Sequence, residues 1–346
     1  MKKIFSVILF ICLLTVINTV YPCTRVVYNG PNGTILTARS MDWETEIYTN
    51  LWIFPKGMDR NGEAGSNSLK WKSEYGSIVA AAFEIASSDG MNEKGLVANL
   101  LWLAESQYPT FNSEKPGLSV AAWLQYVLDR FATVEEAVNE LKEDKFTVVT
   151  SVIPGTEKIA TVHLAISDPS GDNAIFEYID GKLEIHHNKK YQVMTNSPAF
   201  EKQLALNEYW NDIGGTVMLP GTNRAADRFI RASFYIKAIP QTDNIKDALA
   251  SVFGVIRNCS VPLGITTPGQ PNISSTLWRS VSDQKNLVYY FELTTTPNVF
   301  WVDLSSVDLS ETGKVKTLKL TGGEIYAGNA SDKFIDSAPF KFAGLD

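Results

Sequence analysis

A chain of 346 residues, 45% of them hydrophobic, is long enough to bury one large layered core. Its formal charge of −7 argues against a nucleic-acid surface, and three cysteines are too few for a disulfide framework. No C-x-x-C, H-E-x-x-H, EF-hand or P-loop pattern occurs, so the sequence indicates neither a metal nor a nucleotide cofactor.

The chain opens with Lys2 and Lys3, an apolar run from Ile4 to Ile17 and the segment Asn18 to Pro22, the order of a secretory signal. The run is short for a membrane span. Residues 1–22 are therefore an expected leader, and the mature protein an exported bacterial one, periplasmic or secreted. Pro22 and Val20 are poor flanks for signal peptidase, so self-removal of a short remnant is the alternative to direct cleavage. Loss of the leader takes the charge from −7 to −9, because Lys2 and Lys3 go with it, and leaves Cys23 and Cys259 as the cysteines. Residues 23–346 contain no low-complexity linker and are expected to form a single domain.

Cys23 would then be the first residue. A thiol with an ordinary pKa of about 8.5 needs a proton acceptor before it can attack a carbonyl. His163 sits in an alternating strand and His186-His187 end a hairpin strand, so these histidines read as packing or surface residues. A free α-amine, with a pKa of about 8, is a suitable base one residue's reach from its own thiol. Two other readings of Cys23 compete: a buried structural thiol, or a lipidated anchor on an exported, non-catalytic binding protein.

Beyond Cys23, strand Thr24 to Asn29, turn Asn29 to Gly33 and strand Thr34 to Arg39 form a hairpin. It returns Arg39 and Asp42 towards Cys23, an arginine to favour the thiolate and a carboxylate to orient the amine. A strand at Asn50 to Pro55 precedes a polar loop, Lys56 to Ser68, expected to shape a substrate entrance. Two apolar strands, Ser77 to Phe83 and Leu96 to Leu103, flank a turn at Ser87-Ser88-Asp89-Gly90. The three- and four-residue spacing of Val120, Trp123, Leu124, Val127, Leu128 and Phe131 predicts a helix over 119–131. Thr133 and Glu136 have capping-box spacing for a second helix.

Strands are expected at Ala160 to Ser167, Asn173 to Ile179, Lys182 to His187 and Tyr191 to Thr195. Asn196, before Ser197-Pro198, reads more readily as a helix cap than as an oxyanion donor. Helices are expected near Phe200 to Asn211, Ala225 to Ile239 and Ile245 to Asn258. Four strands then close the chain, at Thr276 to Ser282, Leu287 to Leu293, Val299 to Leu304 and Val315 to Leu320. This order fits two stacked antiparallel sheets with helices outside, an α+β class.

Taken together, Cys23-Thr24 after a leader, Arg39 with Met41-Asp42-Trp43, Asp89-Gly90-Met91-Asn92-Glu93-Lys94-Gly95-Leu96, Thr195-Asn196-Ser197-Pro198, and Leu219-Pro220-Gly221 leading to Asp227-Arg228-Phe229 resemble the choloylglycine hydrolase family. That family holds bile salt hydrolases and penicillin V acylases. The resemblance implies an N-terminal nucleophile hydrolase with a four-layer αββα fold, a homotetramer cleaving non-peptide amides. By motif, Cys23 matches the nucleophile, Arg39 and Asp42 the residues attending thiol and amine, Asn196 the oxyanion-stabilising amide and Arg228 the arginine completing the charge network.

The family's second oxyanion donor is a backbone N–H that falls on Trp102, where relatives more often carry Asn or Tyr. A backbone donor survives that change of side chain. For a small-molecule amide substrate, Trp43, Trp52, Trp102 and Tyr108 are the candidate apolar contacts. Conjugated bile salts are the first expectation; penicillin V and N-acyl homoserine lactones are alternatives with the same chemistry.

Overall fold

The computed structural model describes residues 23–153, 156–266 and 274–345. The expected leader, residues 1–22, lies outside the described residues.

Among the described residues, two large sheets stack face to face. One runs in the order Val193–Met194, Thr24–Asn29, Ile35–Trp43, Ser275–Asp283, Val288–Leu293, Val299–Asp303 and Gly328–Asn329. The other runs Lys182–His187, Asn173–Ile179, Val162–Ser167, Val97–Trp102, Ala86–Asn92, Ser77–Ala82, Leu51–Phe54, Lys316–Leu318 and Ile335–Asp336. Pairing is antiparallel throughout, except where Gly328–Asn329 joins its neighbour in parallel. Helices Val120–Arg130 and Val134–Lys142 cover the nine-stranded sheet, and Ala225–Ala238 and Ile245–Asn258 cover the seven-stranded one. This is the expected αββα sandwich.

Side-chain alternation explains the layers. In Leu51–Phe54, Leu51 and Ile53 join the core between the sheets while Trp52 and Phe54 join the core under the outer helices. The Thr37 hydroxyl bridges the sheets at 2.7 Å from both Ser167 Oγ and Gln284 Oε1. No helix among the described residues is long and apolar enough to cross a membrane.

Two expectations need correction. Ser87 to Gly90 is no turn but lies inside strand Ala86–Asn92. Asp89 is buried there by Arg39, Asn99 and Tyr289, and Gly90 is small because Leu128 packs over it. The polar segment after Pro55 contains Asp59–Asn61, which pairs with Lys70–Lys72. None of it lines the cavity described below.

Candidate active site

The first hairpin pairs Thr24 with Ser40 and Arg25 with Arg39, which brings the end of the Ile35–Trp43 strand against Cys23. The Cys23 sulfur lies 3.8 Å from the Asp42 carbonyl oxygen. From the opposite end of the chain's order, Arg228 on helix Ala225–Ala238 donates through Nη1 to the Cys23 carbonyl and to Thr24 Oγ1, both at 2.5 Å. Its Nη2 donates to Asn196 Oδ1 at 2.9 Å. The same oxygen accepts from the Cys23 nitrogen at 2.5 Å. Two donors on Oδ1 set the amide's orientation, so Asn196 Nδ2 points the other way and donates to the Trp102 carbonyl at 2.8 Å.

Trp102 itself sits past the last pair between its strand and Ala86–Asn92, which is Asp89 with Asn99. Leu103 N–H bonds to Thr161, so Trp102 opposite Val162 belongs to the pair whose backbone groups face away from that strand. Its carbonyl faces Asn196, and an extended residue carries its N–H to the same side.

Four buried charged groups decide the electrostatics. Burial pushes the Cys23 thiol up, while Arg39 and Arg228 pull it down and the Asp42 charge pushes it further up. Arg39 is committed elsewhere with two nitrogens: Nη1 donates to the Ser88 carbonyl at 2.5 Å and Nη2 to the Leu100 carbonyl at 2.8 Å. Asp89 stands 3.7 Å from it, and its Nε has no hydrogen-bond partner among the described residues. Asp42 is pushed up to about 6 by burial, opposed by the Arg228 charge and by hydrogen bonds from Thr276 at 2.5 Å and Ser40 at 3.4 Å.

Beside the sulfur lies a cavity of about 130 Å³. Met41, Trp43, Ile47, Phe83, Leu100 and Trp102 line it together with Val152 and Ile153. Trp43 meets Trp102 edge-on at 5.7 Å and Phe83 at 6.4 Å, so one wall is aromatic. A thiol, two cations, an amide and an apolar space thus share one location.

Residues 23–318 match the linear amide C-N hydrolases, choloylglycine hydrolase family. The chain belongs to this family. It is accordingly a linear amide C–N hydrolase. Its relatives include a penicillin V acylase of Pectobacterium atrosepticum, 53% identical over 348 residues that cover 93% of this chain and 92% of the relative. A bile salt hydrolase/transferase of Lactiplantibacillus plantarum is 21% identical over 334 residues, covering 89% and 100%. Among solved structures, a penicillin V acylase from Agrobacterium tumefaciens superposes with a TM-score of 0.88 at 61% identity, covering 93% of this chain and 100% of that one. A conjugated bile acid hydrolase from Clostridium perfringens reaches 0.73 at 26%, covering 86% and 97%.

Within this choloylglycine hydrolase fold, Cys23, Arg39, Asp42, Asn196, Arg228 and Trp102 converge, and Trp43 joins them. Trp52 and Tyr108 do not. Trp52 faces the outer layer, packed on Phe54 and Phe340, with its indole N–H on Glu84. Tyr108 is turned the same way, its ring on Tyr178 and its hydroxyl donating to the Val162 carbonyl at 2.9 Å. Asn196 is no helix cap. The first N–H of helix Phe200–Ile213 is satisfied by Glu177 at 3.0 Å, which leaves the asparagine to Cys23. Asp42 also differs from expectation, since the Cys23 N–H goes to Asn196 and the Asp42 carboxylate to Thr276 and Ser40.

Each histidine is engaged with a carboxylate. His163 bridges Glu177 and the Thr195 carbonyl at 2.8 Å each, His186 lies 3.5 Å from Glu177, and His187 bonds Asp172. Glu177, Glu184 and His186 bring ligand atoms within 4.8 Å of one another, but none lines the Cys23 cavity, and Glu177 already serves His163 and Phe200.

The sequence pattern missed Phe83, Thr276 and the Ser151 to Ile153 segment. Thr276 reaches Asp42 through a register shift between Thr276 and Trp278, and irregularities of that kind leave no periodic signal.

Proposed function

We propose that this hydrolase removes the phenoxyacetyl side chain of penicillin V, or of a closely similar aryl-acyl amide, with Cys23 as an N-terminal nucleophile. The observation that carries this reading is the cavity beside the thiol, about 130 Å³ with aromatic and aliphatic walls. A dry apolar cavity of about 150 Å³ in an unrelated protein holds one benzene ring. A phenoxy ring matches that scale, and Trp43, Trp102 and Phe83 offer it an aromatic wall. Conjugated bile salts, the first expectation from sequence, yield to penicillin V on that wall and on similarity. The relatives named for penicillin V are 53% and 61% identical, those named for bile salts 21% and 26%.

In this mechanism, removal of residues 1–22 during export turns the Cys23 nitrogen into an amine. Asn196 Oδ1 holds one of its N–H groups, so the lone pair can take the thiol proton. The thiolate, favoured by Arg39 and Arg228, attacks the acyl carbonyl. The oxyanion receives the second N–H of Asn196 Nδ2 and the Trp102 backbone N–H, each such donor being worth about 100-fold or more in rate. Collapse breaks the C–N bond, and the α-ammonium protonates the departing amine. Water, losing a proton to the Cys23 α-amine, then attacks the thioester; collapse frees the carboxylic acid and expels the Cys23 thiolate, which takes that proton back.

Amine release from penicillin V, glycocholate and an N-acyl homoserine lactone, measured in parallel, tests the reading. Penicillin V is expected to react fastest, and mature protein to begin at Cys23 by intact mass. Cys23→Ala is expected to lose all turnover at an unchanged melting temperature. Turnover by pure Cys23→Ala, a capped or extended N-terminus in active protein, or preference for glycocholate would each refute it.

A further inference from the structure

We propose that Lys158 recognises the carboxylate on the leaving-group half of the substrate, and that Glu44 holds the lysine at the cavity mouth until substrate arrives. The inference rests on the penicillin V reading above.

Two separate segments contribute to the lining, Trp43 and Ile47 from one and Val152 and Ile153 from the other. Glu44 follows Trp43 directly. Lys158 is aligned with Ile153, whose N–H bonds to the Lys158 carbonyl at 2.8 Å, while Val152 bridges Ile159. Across the gap, Lys158 Nζ meets Glu44 Oε1 at 2.9 Å, joining residues 114 positions apart in the chain. Both side chains are partly exposed, 36% and 28%, so the pair reaches solvent while flanking the lining residues Trp43 and Ile153.

Charge accounting makes the lysine necessary. Penicillin V carries its carboxylate on the nitrogen side of the amide that is cut. With the phenoxy ring in the cavity, that end projects outward. The charged side chains lining the cavity are Cys23, if ionised, and Arg39, and Arg39 is spent on two carbonyls and Asp89. The nearby segments also carry Glu44, Glu46, Glu84, Glu105 and Glu157, which repel an anion. Glu46 is tied to the Ile47 and Tyr48 N–H groups and Glu105 to Ser197. Lys158 offsets this negative rim. Transfer from Glu44 to the substrate exchanges one half-exposed ion pair for another, so it costs little and costs no refolding.

The test compares penicillin V with an uncharged amide of the same acid, phenoxyacetyl p-nitroanilide. In Lys158→Met, KM for penicillin V is expected to rise about fivefold, the scale of an exposed pair, with kcat kept. Both constants for the anilide are expected to hold, and Lys158→Arg to restore most of the loss. Glu44→Gln, which removes the competing carboxylate beside the lysine, is expected to lower KM for penicillin V. Raising salt from about 20 to about 300 mM should raise that KM in the wild type and leave Lys158→Met flat. Equal changes for both substrates would assign Lys158 a packing role and overturn the proposal, as would an unchanged KM for penicillin V. A wild-type protein that cleaves neither phenoxyacetyl amide overturns the substrate reading and this inference with it. One that cleaves both, with Lys158→Met indistinguishable from it, overturns this inference alone.

Discussion

Asp42 carries a carboxyl pushed up to about 6 by complete burial, although Arg228, Thr276 and Ser40 all favour its ionised form. Its folded value lies above the ordinary 3.8, so between about pH 4 and 6 the native state binds more protons than the unfolded chain. Stability therefore falls as pH rises through that window, and above it the ionised carboxylate costs about 3 kcal/mol. Asp42→Asn is expected to gain up to about that amount in urea unfolding at pH 8 and nothing below pH 4. A gain that grows towards acid would contradict the assignment. If the ionised form serves the reaction, kcat/KM falls as pH drops through about 6. The opposite case is Glu177, where burial pushes up but His163, His186 and the Phe200 N–H together hold the carboxyl at about 2. Its ionised form anchors the start of a helix and the strand end that carries Asn196.

The elements that present the site depend on close backbone approach. Strand Ala86–Asn92 runs beneath helix Val120–Arg130, and a Cβ on Gly90 would lie 2.5 Å from the Ile78 carbonyl and 2.9 Å from Leu128. The helix rests on that missing side chain. Gly90→Ala is expected to cost about 2 kcal/mol, the scale of overpacking in a full core, read as a lowered thermal midpoint. A neutral result would mean that helix and strand part without penalty. Because Asp89 is the adjacent residue and faces Arg39, the same substitution is expected to lower turnover.

At the scale of the whole molecule, one apolar cluster fills the space between the sheets and continues to three helices of the outer layer. The Thr37, Ser167 and Gln284 bridge ties the same layers. Neither sheet buries its inner face alone. Urea unfolding of residues 23–346 is accordingly expected to be one transition, coincident by far-UV and near-UV circular dichroism. Two resolved transitions would divide the chain into separate domains. Local signals, namely periodicity, a capping box and turn residues, foretold the helices observed over 120–130, 134–142 and 245–258 and the first hairpin, because they act between residues a few positions apart. The hairpin reading placed Arg39 and Asp42 near Cys23, and the family resemblance added Asn196 and Arg228. Only the tertiary structure decided that Asn196 turns from helix to the Cys23 nitrogen, that Trp52 and Tyr108 face outward while Phe83 faces in, and that Lys158 meets Glu44. Those outcomes rest on contacts such as Arg228 with Cys23, 205 positions apart, and on which of two sheet faces a side chain occupies. A local pattern carries neither, since it is the same whether a strand's apolar face meets the partner sheet or the helices.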